Sequence, residues 1–269
     1  MLKERVLTAI VLVLVLLGVM LGLPPVATVW LITLLILVGA WEWAGFVRPR
    51  SRAVRIAFVA VVAALVFAGW KFVLGSPWMW YVMLLATAWW FVALLWIMVA
   101  PDRVSPLSAA LAGVLALVPC WLALVYLSTH GEPNAVWVLF TLALVWAADT
   151  GAYFAGRFFG KVPLAPRVSP KKTWEGVMGG LVVSGLVATA ASLWYGDLRP
   201  PFVFLCVFVA AISVVGDLTE SMLKRAAGLK DSGSLFPGHG GMLDRIDSVT
   251  AAAPVLLFGL FCLGYFGAG

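Results

Sequence analysis

Long uncharged apolar runs constrain this chain most. Residues 6–23, 104–127 and 249–269 contain no Asp, Glu, Lys or Arg. Each reaches or approaches the ~20 residues that an α-helix needs to cross a bilayer core, whereas a membrane barrel would show alternating strands of ~10 residues. The composition agrees, with 64% hydrophobic and 11% charged residues against about 45–50% and about 25% in a soluble domain. The expected fold is therefore an all-α, polytopic membrane helical bundle.

Nine spans are expected, over 6–23, 26–47, 55–75, 78–100, 104–127, 135–157, 175–196, 201–224 and 248–268. The start "MLKER" also fits a signal peptide, but "GLPPV" after the first run offers no small-x-small cleavage site, so that run is read as a helix. With a cytoplasmic N-terminus, sixteen of the eighteen Lys and Arg fall on the cytoplasmic side, leaving only Lys71 and Arg199 outside. Count and orientation thus support each other under the positive-inside rule. The +6 net charge follows from topology and anionic headgroups, and no nucleic-acid partner is implied. Cys120, Cys206 and Cys262 lie in apolar runs without metal-ligand spacing and read as lipid-buried filler. No span repeats another. The chain divides by content into residues 1–134, five spans for packing and dimerisation, and residues 135–269, four spans with the polar loops.

Function is expected where ionisable groups interrupt the spans, since each costs at least about 2.5–3.5 kcal/mol to insert. Asp149 interrupts the sixth span, Asp217 and Glu220 the end of the eighth, and Asp244 and Asp247 precede the ninth. Asp217, Glu220, Ser221 and Lys224 fall at i, i+3, i+4 and i+7 along one helix face. Asp244 and Asp247 share a face if a helix begins around Met242. Oxygen-only donors converging from separate segments suit a hard cation such as Mg²⁺. In "RVSPKKTWEG", Ser169 before Pro170 predicts a helix N-cap, with Lys171 and Lys172 beside free N–H groups, an arrangement for phosphate. Gly238, Gly240 and Gly241 permit close backbone approach. Each feature alone also has a plainer reading, as a basic cytoplasmic loop or a helix-end ion pair.

Other schemes lack material. "GRFFGKV", from Gly156 to Val162, has three residues between its glycines where a P-loop needs four, and Val162 replaces the Ser or Thr. With only His130 and His239, zinc-hydrolase and Ser-His-Asp chemistry is short of ligands. Glu42, Asp102, Glu132 and Asp197 lie at span ends where solvation explains them, Glu42 in "WEWAGF" being the foremost exception. The tryptophans read as interfacial belt and packing.

The stretch "SMLKRAAGLKDSGSLFPGHGGMLDRIDS", residues 221–248, resembles the signature of the phosphatidate cytidylyltransferases, also called CDP-diacylglycerol synthases. Ser221, Lys224–Arg225, Lys230–Asp231, His239–Gly240–Gly241 and Asp244–Arg245–x–Asp247 appear in the family's order. "ADTGAYFAGRFFGK" and "SPKKTWEG" resemble family segments too, so motifs cover about residues 146–250. The resemblance implies a multi-pass enzyme of the bacterial inner membrane, typically a homodimer with its site facing the cytoplasm. Such an enzyme makes CDP-diacylglycerol and pyrophosphate from CTP and phosphatidic acid with Mg²⁺, a second cation being compatible. On that basis Asp217, Asp244 and Asp247 are expected to hold metal, with Asp149 additional. Lys171, Lys172, Lys224, Arg225 and Lys230 would neutralise phosphates, and Arg245, Ser169, Ser221 and His239 would complete the lining.

Three rivals are distinguishable. A CTP-dependent polyprenol or dolichol kinase would attack the γ-phosphorus and release CDP. A CDP-alcohol phosphotransferase needs G-x3-D-x3-D, where this chain has G-x2-D-x2-D from Gly241. A cation transporter would need acids near the bilayer midplane, and these lie toward one face.

Overall fold

The structure is a computed structural model describing residues 13–48, 51–130, 135–194, 199–235 and 240–266. Among the described residues nine helices form: α1 (Val13–Gly22), α2 (Pro25–Val47), α3 (Arg52–Phe72), α4 (Trp78–Val99), α5 (Pro106–Thr129), α6 (Val136–Phe159), α7 (Trp174–Trp194), α8 (Pro200–Ala226) and α9 (Leu243–Cys262). The last eight are long and apolar enough to cross a membrane. Residues 6–12 of the first expected span lie outside the described residues.

Helix starts follow local chemistry. Pro occupies the first turn of α2, α5 and α8, where its missing N–H costs no helix bond. Ser105 and Ser108 cap α5 reciprocally. Internal Pro119 and Pro254 are tolerated within packed membrane helices.

Helices α5 and α9 are the most buried spans, while α3 and α7 are the least. The outer helices expose Phe67, Phe72, Val182 and Leu186, which suits a hydrocarbon solvent. Because lipid tails are as apolar as leucine, association depends on close packing and polar ties. Trp43 Nε1 donates to the Ala109 carbonyl at 2.8 Å, and Trp121 Nε1 donates to Thr33 Oγ1 at 2.8 Å, joining α2 to α5. Small residues bring backbones together: a Cβ on Gly180 in α7 would lie 2.7 Å from the Ala148 carbonyl of α6. One on Gly216 in α8 would lie 2.7 Å from the Asp247 carbonyl of α9.

One element departs from the all-helical expectation. Between α6 and α7, β1 (Pro163–Ala165) and β2 (Ser169–Thr173) form an antiparallel hairpin. Ser169 is therefore not the predicted N-cap, and Pro170 lies in a strand. The helix begins after Thr173, whose Oγ1 accepts from Gly176 N at 3.2 Å. Glu175, in the first turn of α7, accepts from Lys161 N and Val162 N. That bond draws the end of α6 onto the start of α7 and holds β2 beside the bundle.

Candidate active site

At one end of the bundle, α6, α7, β2 and α8 surround a cleft of about 450 Å³. Its polar lining comprises Asp149, Tyr153 and Arg157 from α6, Lys171, Lys172 and Thr173 from β2, and Asp217 from α8. Lys172 forms an ion pair with Asp217 Oδ2, both side chains being about a quarter exposed, so the pair is accessible to a ligand. Ser221 Oγ, one turn along α8, donates to Asp217 Oδ1 at 3.3 Å. Arg157 Nη1 donates to the Tyr153 hydroxyl at 2.8 Å, which orients its guanidinium on the cleft wall. The hairpin thus delivers two lysines to a surface that already carries two carboxylates, although these residues are far apart in sequence.

Behind the cleft lies a second, more buried network. Lys224 Nζ sits 2.6 Å from Asp244 Oδ1 and 3.0 Å from Glu220 Oε1. The Glu220 contact is an ion pair without hydrogen-bond geometry, and both Glu220 oxygens lack a hydrogen bond. Asp244 Oδ2 accepts from Ser232 N at 3.0 Å, Ser232 Oγ at 2.8 Å and Gly241 N at 2.8 Å. Both oxygens of Asp244 are therefore engaged by protein donors. Asp247, three residues further on α9, accepts from Ser248 N at 2.7 Å through Oδ1. Its own carbonyl abuts Gly216, the neighbour of Asp217.

The expected face of α8 forms, but it splits its work: Asp217 and Ser221 serve the cleft side, and Glu220 and Lys224 the buried network. Lys171, Lys172, Asp149 and Asp217 come together in the cleft. Ser169, Arg225, Lys230 and Arg245 are not part of its lining. Arg225 Nη1 reaches the Leu229 carbonyl at 3.5 Å instead, and Lys230 and Arg245 are exposed. His239 lies outside the described residues. Sequence reasoning assigned no role to Tyr153, Arg157 or Thr173, and none to Ser232, which carries no distinguishing signal. Glu42 was legible as a carboxylate between tryptophans, but its partners were not.

The acidic side chains here offer donors of the kind a magnesium ion takes. All are oxygens, and such an ion commonly takes one or two carboxylates and completes its shell with water and phosphate. Asp149 and Asp217 line one cleft, with Asp247 on the adjoining turn. Among the described residues, no three His, Cys, Asp or Glu side chains are grouped to hold a metal unaided.

Comparisons with known proteins cover almost the whole chain. The model of the cytidylyltransferase family matches residues 3–263. A phosphatidate cytidylyltransferase of Pseudomonas aeruginosa is 41% identical over 98% of this chain and 99% of its own length. One from Haemophilus influenzae is 37% identical over 97% of this chain and 99% of its own. One from Bacillus subtilis is 42% identical over a shorter stretch, 45% of this chain and 46% of its own. With the family model matched over residues 3–263 and two relatives 41% and 37% identical over nearly their whole length, the chain belongs to the cytidylyltransferase family.

Proposed function

We propose that this protein transfers CMP from CTP to phosphatidic acid, giving CDP-diacylglycerol and pyrophosphate. What carries the reading is the pairing of Lys172 with Asp217 in a cleft also lined by Asp149, Lys171 and Arg157, at the end of a lipid-embedded bundle. That is a site for polyanions whose apolar part stays in the membrane.

The nucleophile is a phosphate oxygen of phosphatidic acid. It bonds to the α-phosphorus of CTP as the bond from that phosphorus to the bridging oxygen breaks, and pyrophosphate leaves with the electron pair. The attacking oxygen is already anionic near neutral pH, so no strong general base is needed. Repulsion between two anions and charge on the leaving group limit the rate, and positioning and electrostatics offset both. Lys171 and Lys172 would neutralise phosphate oxygens from one wall and Arg157 from another. Asp149 and Asp217, with Asp247, would hold Mg²⁺, and Ser221 would orient the Asp217 carboxylate. Bound there, the ion supplies charge neutralisation and a template for phosphate oxygens. Asp244, whose side chain is 9% exposed against 27% for Asp217 and is held by Lys224, Ser232 and Gly241, would order the chain around Ser232 rather than face the cleft. Val177 and Val214 line the same cleft and would meet the apolar part of the lipid.

The same reading places the N-terminus and the cleft on the cytoplasmic side of the inner membrane, supported by the distribution of Lys and Arg. It takes the protein as a homodimer, an expectation that rests on the resemblance and is tested by cross-linking in native membranes. Purified protein given phosphatidic acid, Mg²⁺ and CTP labelled separately at the α- and γ-phosphates tests the reaction. Label from the α position is expected in the lipid, with γ label in pyrophosphate. A lipid carrying γ label with CDP released would instead identify a kinase, and cation flux into proteoliposomes without CTP a transporter.

A further inference from the structure

Glu42 sits in α2, outside the cleft lining, yet it is only 5% exposed. A carboxylate buried in an apolar helix is disfavoured unless its acceptor positions are filled. Here they are filled from the other end of the chain. Met242 N donates to Oε1 at 3.1 Å, Leu243 N donates to Oε2 at 2.7 Å, and Ser232 Oγ lies 3.1 Å from Oε2. Helix α9 has no side-chain cap of its own, and the first N–H groups of any helix lack intrahelical partners. Glu42 supplies that cap from 201 positions away in sequence, and its charge faces the positive end of the helix dipole.

Space around it is tight. A Cβ on Gly233 would come 2.8 Å from Glu42 Cδ, so the segment after α8 lies flat on this carboxylate. The Ser232 hydroxyl stands between Glu42 Oε2 and Asp244 Oδ2, and its one proton serves either. Asp244 in turn holds Lys224, and Asp247 on the same first turns of α9 abuts Gly216 beside Asp217. One carboxylate on α2 thus fixes where α9 begins, and that start fixes how α9 meets α8 next to the cleft.

We infer that Glu42 is a positioning residue for CMP transfer, an N-terminal-half side chain that sets the register of α9 and Ser232 against α8 without touching substrate. The inference rests on the reaction proposed above. It also gives the N-terminal helices a part in the chemistry.

The test uses the purified full-length protein and its Glu42→Gln, Ser232→Ala and doubly substituted forms. Glu42→Gln keeps the shape while replacing one acceptor with a donor beside a backbone N–H or the hydroxyl. A displacement of about 1 Å caused far from the chemistry can cost about 100-fold, so a loss of about 10–100-fold is the scale to look for. That loss is expected in kcat per monodisperse molecule, with KM for CTP within about threefold, because Lys171 and Lys172 do not depend on Glu42. A purely structural role would lower the yield of folded protein and leave kcat per folded molecule intact. The double variant is expected to lose little more than the worse single one, as residues acting through one network do. Tryptic cleavage after Lys230, read as a C-terminal fragment beginning at Asp231, is expected to accelerate in Glu42→Gln. Wild-type kcat per folded molecule, multiplicative losses in the double variant, or unchanged protection after Lys230 would each overturn the inference. If the unaltered protein makes no CDP-lipid, the proposed reaction fails, while the protease comparison still decides whether Glu42 holds this segment.

Discussion

Lys224 carries more of the buried charge than any other side chain near the site, because one ammonium compensates both Glu220 and Asp244. Removing one partner of a buried pair leaves an uncompensated charge and costs about 3–5 kcal/mol. Lys224→Met is therefore expected to lower thermal stability in detergent markedly. Adding Glu220→Gln to that variant is expected to recover part of the loss, since Glu220 has no hydrogen bond of its own while Asp244 keeps Ser232 and Gly241. Equal melting of Lys224→Met and the unaltered protein would show that the pair contributes nothing. At this scale the sequence was informative about residue types and silent about partners. The i, i+4 pairs Asp217–Ser221 and Glu220–Lys224 follow from helix geometry. The Lys172–Asp217 pair and the Glu42–Leu243 bond do not, because contacts between elements are fixed by how helices dock and not by spacing along one of them.

Among the elements, α8 and α9 cross at Gly216, the neighbour of the cleft residue Asp217. Gly216 has no room for a side chain, with the Asp247 carbonyl 2.7 Å and Ala251 Cβ 2.9 Å from where a Cβ would sit. Gly216→Val is expected to force the helices apart at a stability cost of about 1–3 kcal/mol. Its effect on transfer is expected to be larger than its effect on melting, since a displacement of about 1 Å at a reacting geometry can cost ~100-fold. Parallel melting and kinetic measurements check this, and full activity in Gly216→Val would refute the close crossing. Helices were the most legible elements, because uncharged runs near twenty residues leave a membrane chain few alternatives. The β1–β2 hairpin was not legible. Pro163, Pro166 and Pro170 within eight residues read as a loop, and Ser169–Pro170 mimics a helix start. What decides otherwise is Glu175 reaching back to Lys161 and Val162, a tertiary bond that no local pattern announces.

For the whole molecule, the proposed orientation rests on the distribution of Lys and Arg and is open to direct test. Single cysteines at positions 71 and 199, in a background without the native cysteines, are expected to react with a membrane-impermeant maleimide from outside intact cells. Cysteines at 171 and 230 are expected to react only after permeabilisation. The reverse pattern would invert the bundle and place the cleft away from cytoplasmic CTP. In the proposed reaction, the Asp217–Lys172 cleft brings two mutually repelling anionic substrates together. The most direct measurement of that role is the initial rate of CMP transfer from CTP to phosphatidic acid by Asp217→Asn and Lys172→Met, compared at equal amounts of folded, membrane-inserted protein. Each rate is expected to fall by at least about 100-fold, the scale of losing a major electrostatic contact to a transition state. Rates within about threefold of the unaltered protein for both variants would contradict that role.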